Sequence, residues 1–332
     1  VVVDPNAGVG ALAEFARRCT SSSECICFDE YSKNDEVIKA SKILFPELKW
    51  SYGYSTKLIQ ELEHEIDLAI SFLPLGVRYK PSTEIIINGN KLITSDQGQF
   101  ILTCTVDKLS KGGIGLFIVP DNFFTNYNSI FKKFDQFDFN LQAAFSLPEN
   151  FLEGLTTVRT SLILVSKVKS DKTFVAQLSE NEDSNKEIVK NFRAKNSSNI
   201  IELGSFVQTN TFRGIRPLLS EEYFKNKLLG LKCLPKKIRD LSIAITVGDS
   251  RKDFKFTEKS NSIYIPKIGR GDVVCSIGEL NIKVQNYIQV VLDKDKANSL
   301  FLSNFLNSEI GIEIRLSNYS NGVISVLTKN NL

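Results

Sequence analysis

The hydrophobic positions of this chain alternate between two periods. Val1 to Val3 form a short β-branched run, the pattern of a buried parallel strand. An acid, a proline and small residues follow in Asp4-Pro5-Asn6-Ala7-Gly8-Val9-Gly10, and Ala11 to Arg18 takes up a helical pattern. Strand patterns recur at Cys25 to Phe28, Asp67 to Phe72, Ile114 to Val119, Phe139 to Ser146 and Thr160 to Val165. Helical patterns separate several of them, at Lys57 to Glu65 and Gln99 to Leu109. This alternation predicts a mostly parallel, doubly wound α/β sheet with helices on both faces.

From Ser170 to Ser198 the chain turns polar, and residues 169–199 read as a connector. Beyond it the pattern changes. Short strands are expected at Ile200 to Leu203, Ser262 to Ile265, Asp272 to Cys275 and Tyr287 to Leu292, separated by Gly, Asn and Lys turns. One helix is expected from Lys294 to Leu306, stopped at Asn307 to Gly311. The sequence therefore predicts an α/β domain over 1–168, a connector over 169–199 and an α+β module with its own core over 200–332.

Composition narrows the class. With 332 residues, 42% hydrophobic and 24% charged, the chain is long enough for two soluble globular cores. No apolar run reaches the roughly 18 residues of a membrane helix, so no membrane partner is expected. Six scattered cysteines without a C-x-x-C pair suit a reducing cytoplasm, and one histidine makes a zinc site or histidine-based acid–base catalysis a poor expectation. His64 itself, among Glu61, Glu63 and Glu65, reads as a surface helix residue. The chain holds no methionine and opens inside a strand pattern, so a preceding segment is expected.

The net charge of +3 conceals an asymmetry. Residues 1–165 carry 15 basic against 20 acidic side chains, a net of −5, and the remainder 26 against 18, a net of +8. A basic second half suits a polyanionic partner, although a solvated lysine-rich surface would give the same count.

The first turn carries the most specific chemistry. Gly8-Val9-Gly10-Ala11-Leu12-Ala13 fits G-x-G-x-x-A, with Ala7 beside it and Asp29 and Glu30 placed to hold a ribose. A nicotinamide dehydrogenase would look the same there, and a purely structural glycine turn is the third reading. The carboxylate of Asp4 just before the turn favours S-adenosylmethionine, because it suits a cationic methionine end and repels a pyrophosphate.

Later segments resemble the adenine-specific DNA methyltransferases, in particular modification subunits of type I restriction–modification systems. The resemblance covers most of residues 1–168. Asp67-Leu68-Ala69-Ile70-Ser71-Phe72-Leu73-Pro74-Leu75-Gly76 stands where that family carries D-L-I-I-x-N-P-P-F-G, and Lys111 to Phe124, Ala143 to Phe151 and Thr157 to Lys167 follow its order of strands. The second half resembles the target-recognition domains of the same systems at Ser262 to Gly269, Asn286 to Asp293 and Ala297 to Gly311. That resemblance implies duplex DNA and other restriction–modification subunits as partners, with Arg213, Arg216, Arg251, Lys252, Lys267 and Arg270 as DNA contacts.

Two departures bear on activity. The family's loop supplies an Asn or Asp oxygen to the amino group of a flipped adenine and an aromatic ring to stack on it. Here the aligned residues are Phe72, Leu73, Pro74 and Leu75, which provide neither. In Tyr52-Gly53-Tyr54-Ser55, Tyr54 replaces an acid that often contacts the cofactor adenine. The resemblance therefore implies sequence-specific duplex binding, weak or vestigial S-adenosylmethionine binding and impaired or lost methylation, with an active adenine methyltransferase as the alternative.

Overall fold

In the computed structural model the described residues are 1–20, 22, 24–29, 35–87, 89–124, 136–148, 151–154, 158–215, 217–219, 236–250, 254–267 and 271–317. They divide into two compact units, Val1–Ile215 and Arg216–Leu332.

The first unit is built on a nine-stranded sheet. Its strands are β1 (Val2–Asp4), β2 (Cys25–Asp29), β3 (Lys49–Tyr52), β4 (Ile66–Phe72), β7 (Leu109–Pro120), β8 (Asn140–Ser146), β9 (Thr160–Ser166), β10 (Lys172–Gln177) and β11 (Ser205–Gln208). Their order is β11-β10-β8-β9-β7-β4-β1-β2-β3. From β3 to β7 all neighbours are parallel, β9 runs antiparallel between β7 and β8, and β11 is antiparallel to β10. Five of its eight pairings are parallel, as expected, and three are antiparallel, so the sheet is mostly parallel but mixed. Strands β1, β8 and β9 are buried by Val2, Val3, Leu141, Ala143, Ala144, Ile163 and Val165, as the near-continuous apolar runs of an internal strand require.

Helix α1 (Ala11–Thr20) packs Ala13 and Ala16 into the cluster of Val2, Ala7, Cys25, Cys27 and Leu48. Its Glu14 accepts hydrogen bonds from Arg17 and Arg18, which hold its carboxyl down at about pH 2. Helix α2 (Asp35–Leu44) links β2 to β3, and α3 (Ser55–Gln60) links β3 to β4. The expected helix Lys57 to Glu65 stops at Gln60, leaving His64 exposed in the turn beyond it. A two-stranded antiparallel ribbon, β5 (Arg78–Ile87) and β6 (Asn90–Asp96), stands between β4 and α4 (Gln97–Asp107).

The polar segment 169–199 carries regular structure in place of the expected connector. Strand β10 buries Phe174, Val175 and Ala176 beside β8, and α5 (Glu182–Ala194) closes over it with Ile188. Polar side chains of this segment, among them Glu182, Asp183, Lys186 and Lys190, lie on the exposed face of α5. The expected strand Ile200 to Leu203 is a single 3-10 turn, Ile201–Leu203, closed by Gly204 at φ 113. A side chain at Gly204 would lie 2.1 Å from the Phe174 ring, so the turn packs closely on β10, and β11 begins at the next residue.

In the second unit β12 (Ser242–Val247), β14 (Tyr287–Leu292) and β13 (Ser262–Pro266) form an antiparallel sheet in that order. Its core joins Ile263, Ile265, Val273, Ile288, Val290 and Leu292 to Leu302 and Leu306. Asp272 to Cys275 contributes one bridge, Tyr264 to Val274, where a strand was expected. The expected helix from Lys294 begins only at α6 (Ser299–Asn307), where the Asn298 side chain accepts from the Phe301 N–H. Nor does the chain leave the helical state for long at Asn307, since α7 (Glu309–Ser317) follows directly. Gly311 permits that corner, because a side chain there would lie 2.0 Å from the Phe305 carbonyl oxygen.

Candidate functional site

The chain passes from β1 to β2 and β3 on one side, then returns to lay β4 on the other side of β1. The carboxyl ends of β1 and β4 therefore border a topological switch point, where open α/β sheets hold their ligands. Asp4 ends β1 there and is 1% exposed. Its Oδ1 accepts from the Asn6 N–H at 3.1 Å and from Ser71 Oγ at 2.9 Å. Its Oδ2 is buried and, among the described residues, has no hydrogen-bond partner. Burial raises the Asp4 carboxyl to about 7, against the pull of the Asn6 and Ser71 hydrogen bonds, and Asp29 adds to the rise.

The turn after Asp4 is shaped by two glycines with different duties. Gly8 has φ 52 and, among the described residues, nothing within 4 Å of the place a side chain would take. Gly10 has φ 85, and a side chain would lie 2.9 Å from both Leu48 and Trp50. Its role is close packing of α1 on β3. The Gly10 N–H donates to the Ala7 carbonyl, and the Ala7 N–H to the Phe28 carbonyl, pinning the turn to β2. Asp29, partly buried at the end of β2, pairs in register with Tyr52 of β3. Glu30 lies outside the described residues.

The turn and the loop after β4 are joined directly. Asn6 Nδ2 donates to the Phe72 carbonyl at 2.7 Å. Phe72 is half-buried, and the Leu73 side chain is buried. Leu73 and Pro74 line a small cleft with Gly76, Asp96, Gly98, Gln99 and Phe123. Its volume of about 30 Å³ suits roughly one water. Phe72, Leu73, Pro74 and Leu75 present no side-chain hydrogen-bond acceptor. Asp96, the nearest acid, caps α4 by accepting from the Gln99 N–H at 3.0 Å, and burial raises its carboxyl.

Tyr54 is 66% exposed and precedes α3 without capping it. Sequence reasoning missed Asn6 and Ser71, which tie the two halves of the site together. An amide two residues beyond a strand-ending acid, and a hydroxyl just before the loop, are the signals that could have found them.

Of the expected DNA contacts, Arg216, Arg251, Lys252 and Arg270 lie outside the described residues. Arg213 belongs to the first unit, is exposed, and donates to the Asn210 and Phe212 carbonyls. Lys267 is partly buried in the second unit and donates to the Gly248 carbonyl at 3.1 Å, and burial lowers its ammonium. Among the described residues no cluster of three His, Cys, Asp or Glu could hold a metal, and no helix is long and apolar enough to cross a membrane.

No protein-family model matches this sequence, and no curated protein does. Solved structures do match in fold. One, from work on complex assembly and conformational transition of the type I R-M system, matches 69% of this chain and 60% of its own, at 13% identity and a TM-score of 0.51. The type I restriction-modification system methyltransferase subunit from Streptococcus thermophilus matches 67% and 52%, at 12% identity and 0.49. A modification subunit ascribed to a type I restriction enzyme of Vibrio vulnificus YJ016 matches 62% and 50%, at 15% identity and 0.48. The chain thus spans about half to three-fifths of the length of these structures. The likeness is one of fold: the mixed α/β architecture is shared with the structure matched at a TM-score of 0.51.

Proposed function

We propose that the first unit is a methyltransferase-like domain of a restriction–modification or related defence system, descended from the adenine-specific DNA methyltransferases and impaired in catalysis. The second unit is its target-recognition domain, binding duplex DNA sequence-specifically, and other subunits of such a system are its protein partners. One observation carries the reading of the cofactor site: a buried carboxylate with an orphaned oxygen, Asp4, at the switch point beside an open glycine turn. A buried unpaired acid of this kind is costly unless a ligand completes it. The ammonium of an amino-acid moiety suits Asp4 Oδ2, the backbone around Gly8 leaves room for the ligand's approach, and Asp29 suits a ribose hydroxyl.

S-adenosylmethionine, when bound, supplies a methyl group on a cationic sulfur. The chain's own residues then have to bring a nucleophile to it, and here the arrangement falls short. Adenine's amino group is a weak nucleophile whose lone pair is shared with the ring, and a side-chain acceptor helps to localise it. Phe72 offers none, and its carbonyl already accepts from Asn6. Leu75 offers no flat π face for a flipped base. A nicotinamide oxidoreductase fits less well, because Asp4 would face a pyrophosphate.

Calorimetry of the chain with S-adenosylmethionine and with dinucleotides tests this reading. Binding of S-adenosylmethionine weaker than about 1 μM is expected, the loss of one polar contact at Tyr54 costing roughly ten- to a hundredfold. Submicromolar affinity would remove the case for a vestigial site, and binding of a dinucleotide alone would overturn the assignment.

A further inference from the structure

The β5–β6 ribbon leaves the sheet at the candidate loop. β5 begins two residues after Gly76, and the Gln97 N–H donates to the Val77 carbonyl, so the base of the ribbon is clamped at the loop's end. From Thr83 to Ile87 alternate residues separate its faces, while the register shifts between Arg78 and Thr83. Ile85, Ile87 and Leu92 are buried, and Tyr79 meets Phe100 of α4 edge-on at 5.9 Å, which fixes the inner face. Arg78, Lys80, Ser82, Glu84 and Ile86 of β5, with Lys91 and Ile93 of β6, are exposed.

That outer face has an uneven chemistry. Glu84, its single acid, is paired with Lys91 across the strands. Arg78 stands in register opposite the partly buried Asp96 and pulls its carboxyl down against the rise from burial, and among the described residues no ion pair holds Lys80; both cations stand at the end nearest the loop. A half-chain of net charge −5 therefore presents a local cationic strip beside the candidate site. Farther along, Ile86 and Ile93 are 65% and 58% exposed. A face adapted only to water would carry polar residues at those two positions. A two-stranded ribbon fits the major groove of B-form DNA, with its cations on the flanking phosphates.

Resting on the reading of this chain as a DNA methyltransferase relative, we propose that the outer face of β5–β6 contacts duplex DNA, Arg78 and Lys80 holding phosphates beside the Phe72–Leu75 loop. The first unit then positions the duplex itself, and base reading is left to the second. Because phosphate contacts are indifferent to sequence, this surface adds affinity on every duplex and sequence preference on none.

Fluorescence anisotropy with a labelled duplex, across a range of salt concentrations and with the full chain, tests the proposal. Arg78→Gln with Lys80→Gln should lower the slope of log affinity against log salt by about 2 and weaken binding at 0.1 M salt about tenfold per residue, on cognate and unrelated duplexes alike. Ser82→Glu, which adds a charge of the wrong sign to the same face, should weaken binding in the same direction. Thermal unfolding of each variant should match the parent, since all three positions are exposed. An unchanged slope in a folded double variant would overturn the proposal and assign the face to a protein partner. A parent chain that binds S-adenosylmethionine but no duplex would overturn the ribbon's role and leave the cofactor reading standing. A parent that binds neither would overturn both.

Discussion

Asp4 couples the site to pH in a way that can be measured without any ligand. Its carboxyl stands at about 7 in the folded chain against an ordinary value of 3.8. The native state therefore holds a proton that the unfolded state releases between these values. The contribution of Asp4 to stability is greatest below about pH 4, falls as the pH rises towards 7, and is level above it. The fall amounts to roughly 4 kcal/mol. Urea unfolding of the ligand-free protein should show it, and Asp4→Asn should abolish it. The same titration makes a cationic ligand bind more tightly as pH rises from 5.5 to 7.5, a dependence the Asn variant should lose. The two glycines of the turn separate in the same measurement. Gly10→Ala meets Leu48 and Trp50 at 2.9 Å in a left-handed conformation and should cost about 3 kcal/mol or more. Gly8→Ala faces open space and should cost only about 1 kcal/mol, with its larger effect on cofactor binding.

Among the elements, α3 and β10 give the sharpest tests. Tyr54 occupies the position before α3 with no side-chain acceptor for the helix N–H groups. Tyr54→Asp should supply that cap, raising stability by about 1 kcal/mol, and should also tighten S-adenosylmethionine binding if this position faces the adenine. A stability gain without an affinity gain would separate the two effects. β10 and α5 bear on where the first unit ends. A fragment of residues 1–168 removes Phe174 from its contacts with Phe145, Phe192 and Phe206, and strips β10 from the edge of β8. It should aggregate, whereas residues 1–215 should unfold in one cooperative transition. In the second unit Gly311→Ala drives a side chain into Phe305 and Leu306 at the α6–α7 corner. It should lower that unit's melting temperature and leave cofactor binding untouched.

At the scale of the whole molecule, the expected outcome is no detectable adenine methylation by this chain alone. A missing acceptor at Phe72 corresponds to a loss of about 100- to 1,000-fold, if the removal of an oxyanion donor is a fair measure. The missing stacking partner at Leu75 acts on the same geometry, so the two losses do not simply multiply. Transfer of labelled methyl from S-adenosylmethionine to duplex DNA at ordinary turnover would show the loop to be competent as it stands. Replacing Phe72→Asn, Leu73→Pro and Leu75→Phe together restores the family's side chains. It also removes a buried Leu73 side chain, at a cost of about 2 kcal/mol or more, so recovery of activity should be partial and best seen at low temperature.

The sequence by itself determined the strands β1, β2, β4, β7, β8, β9, β13 and β14, because strand-length clusters of apolar and β-branched residues leave a local signature. It also determined the acid-then-glycine turn at Asp4 to Gly10 and the anomaly at Phe72 to Leu75, where residue identity alone carries the chemistry. Only the tertiary structure decided the rest. The antiparallel insertion of β9, and the addition of β10 and β11 to the sheet, depend on long-range pairing that leaves no period in the chain. α5 was hidden because a helix with a single buried residue, Ile188, has the composition of a linker. Asn6 and Ser71 are ordinary polar residues until β1 and β4 lie side by side. Then one bonds the loop and the other the acid, and two distant segments become a single site.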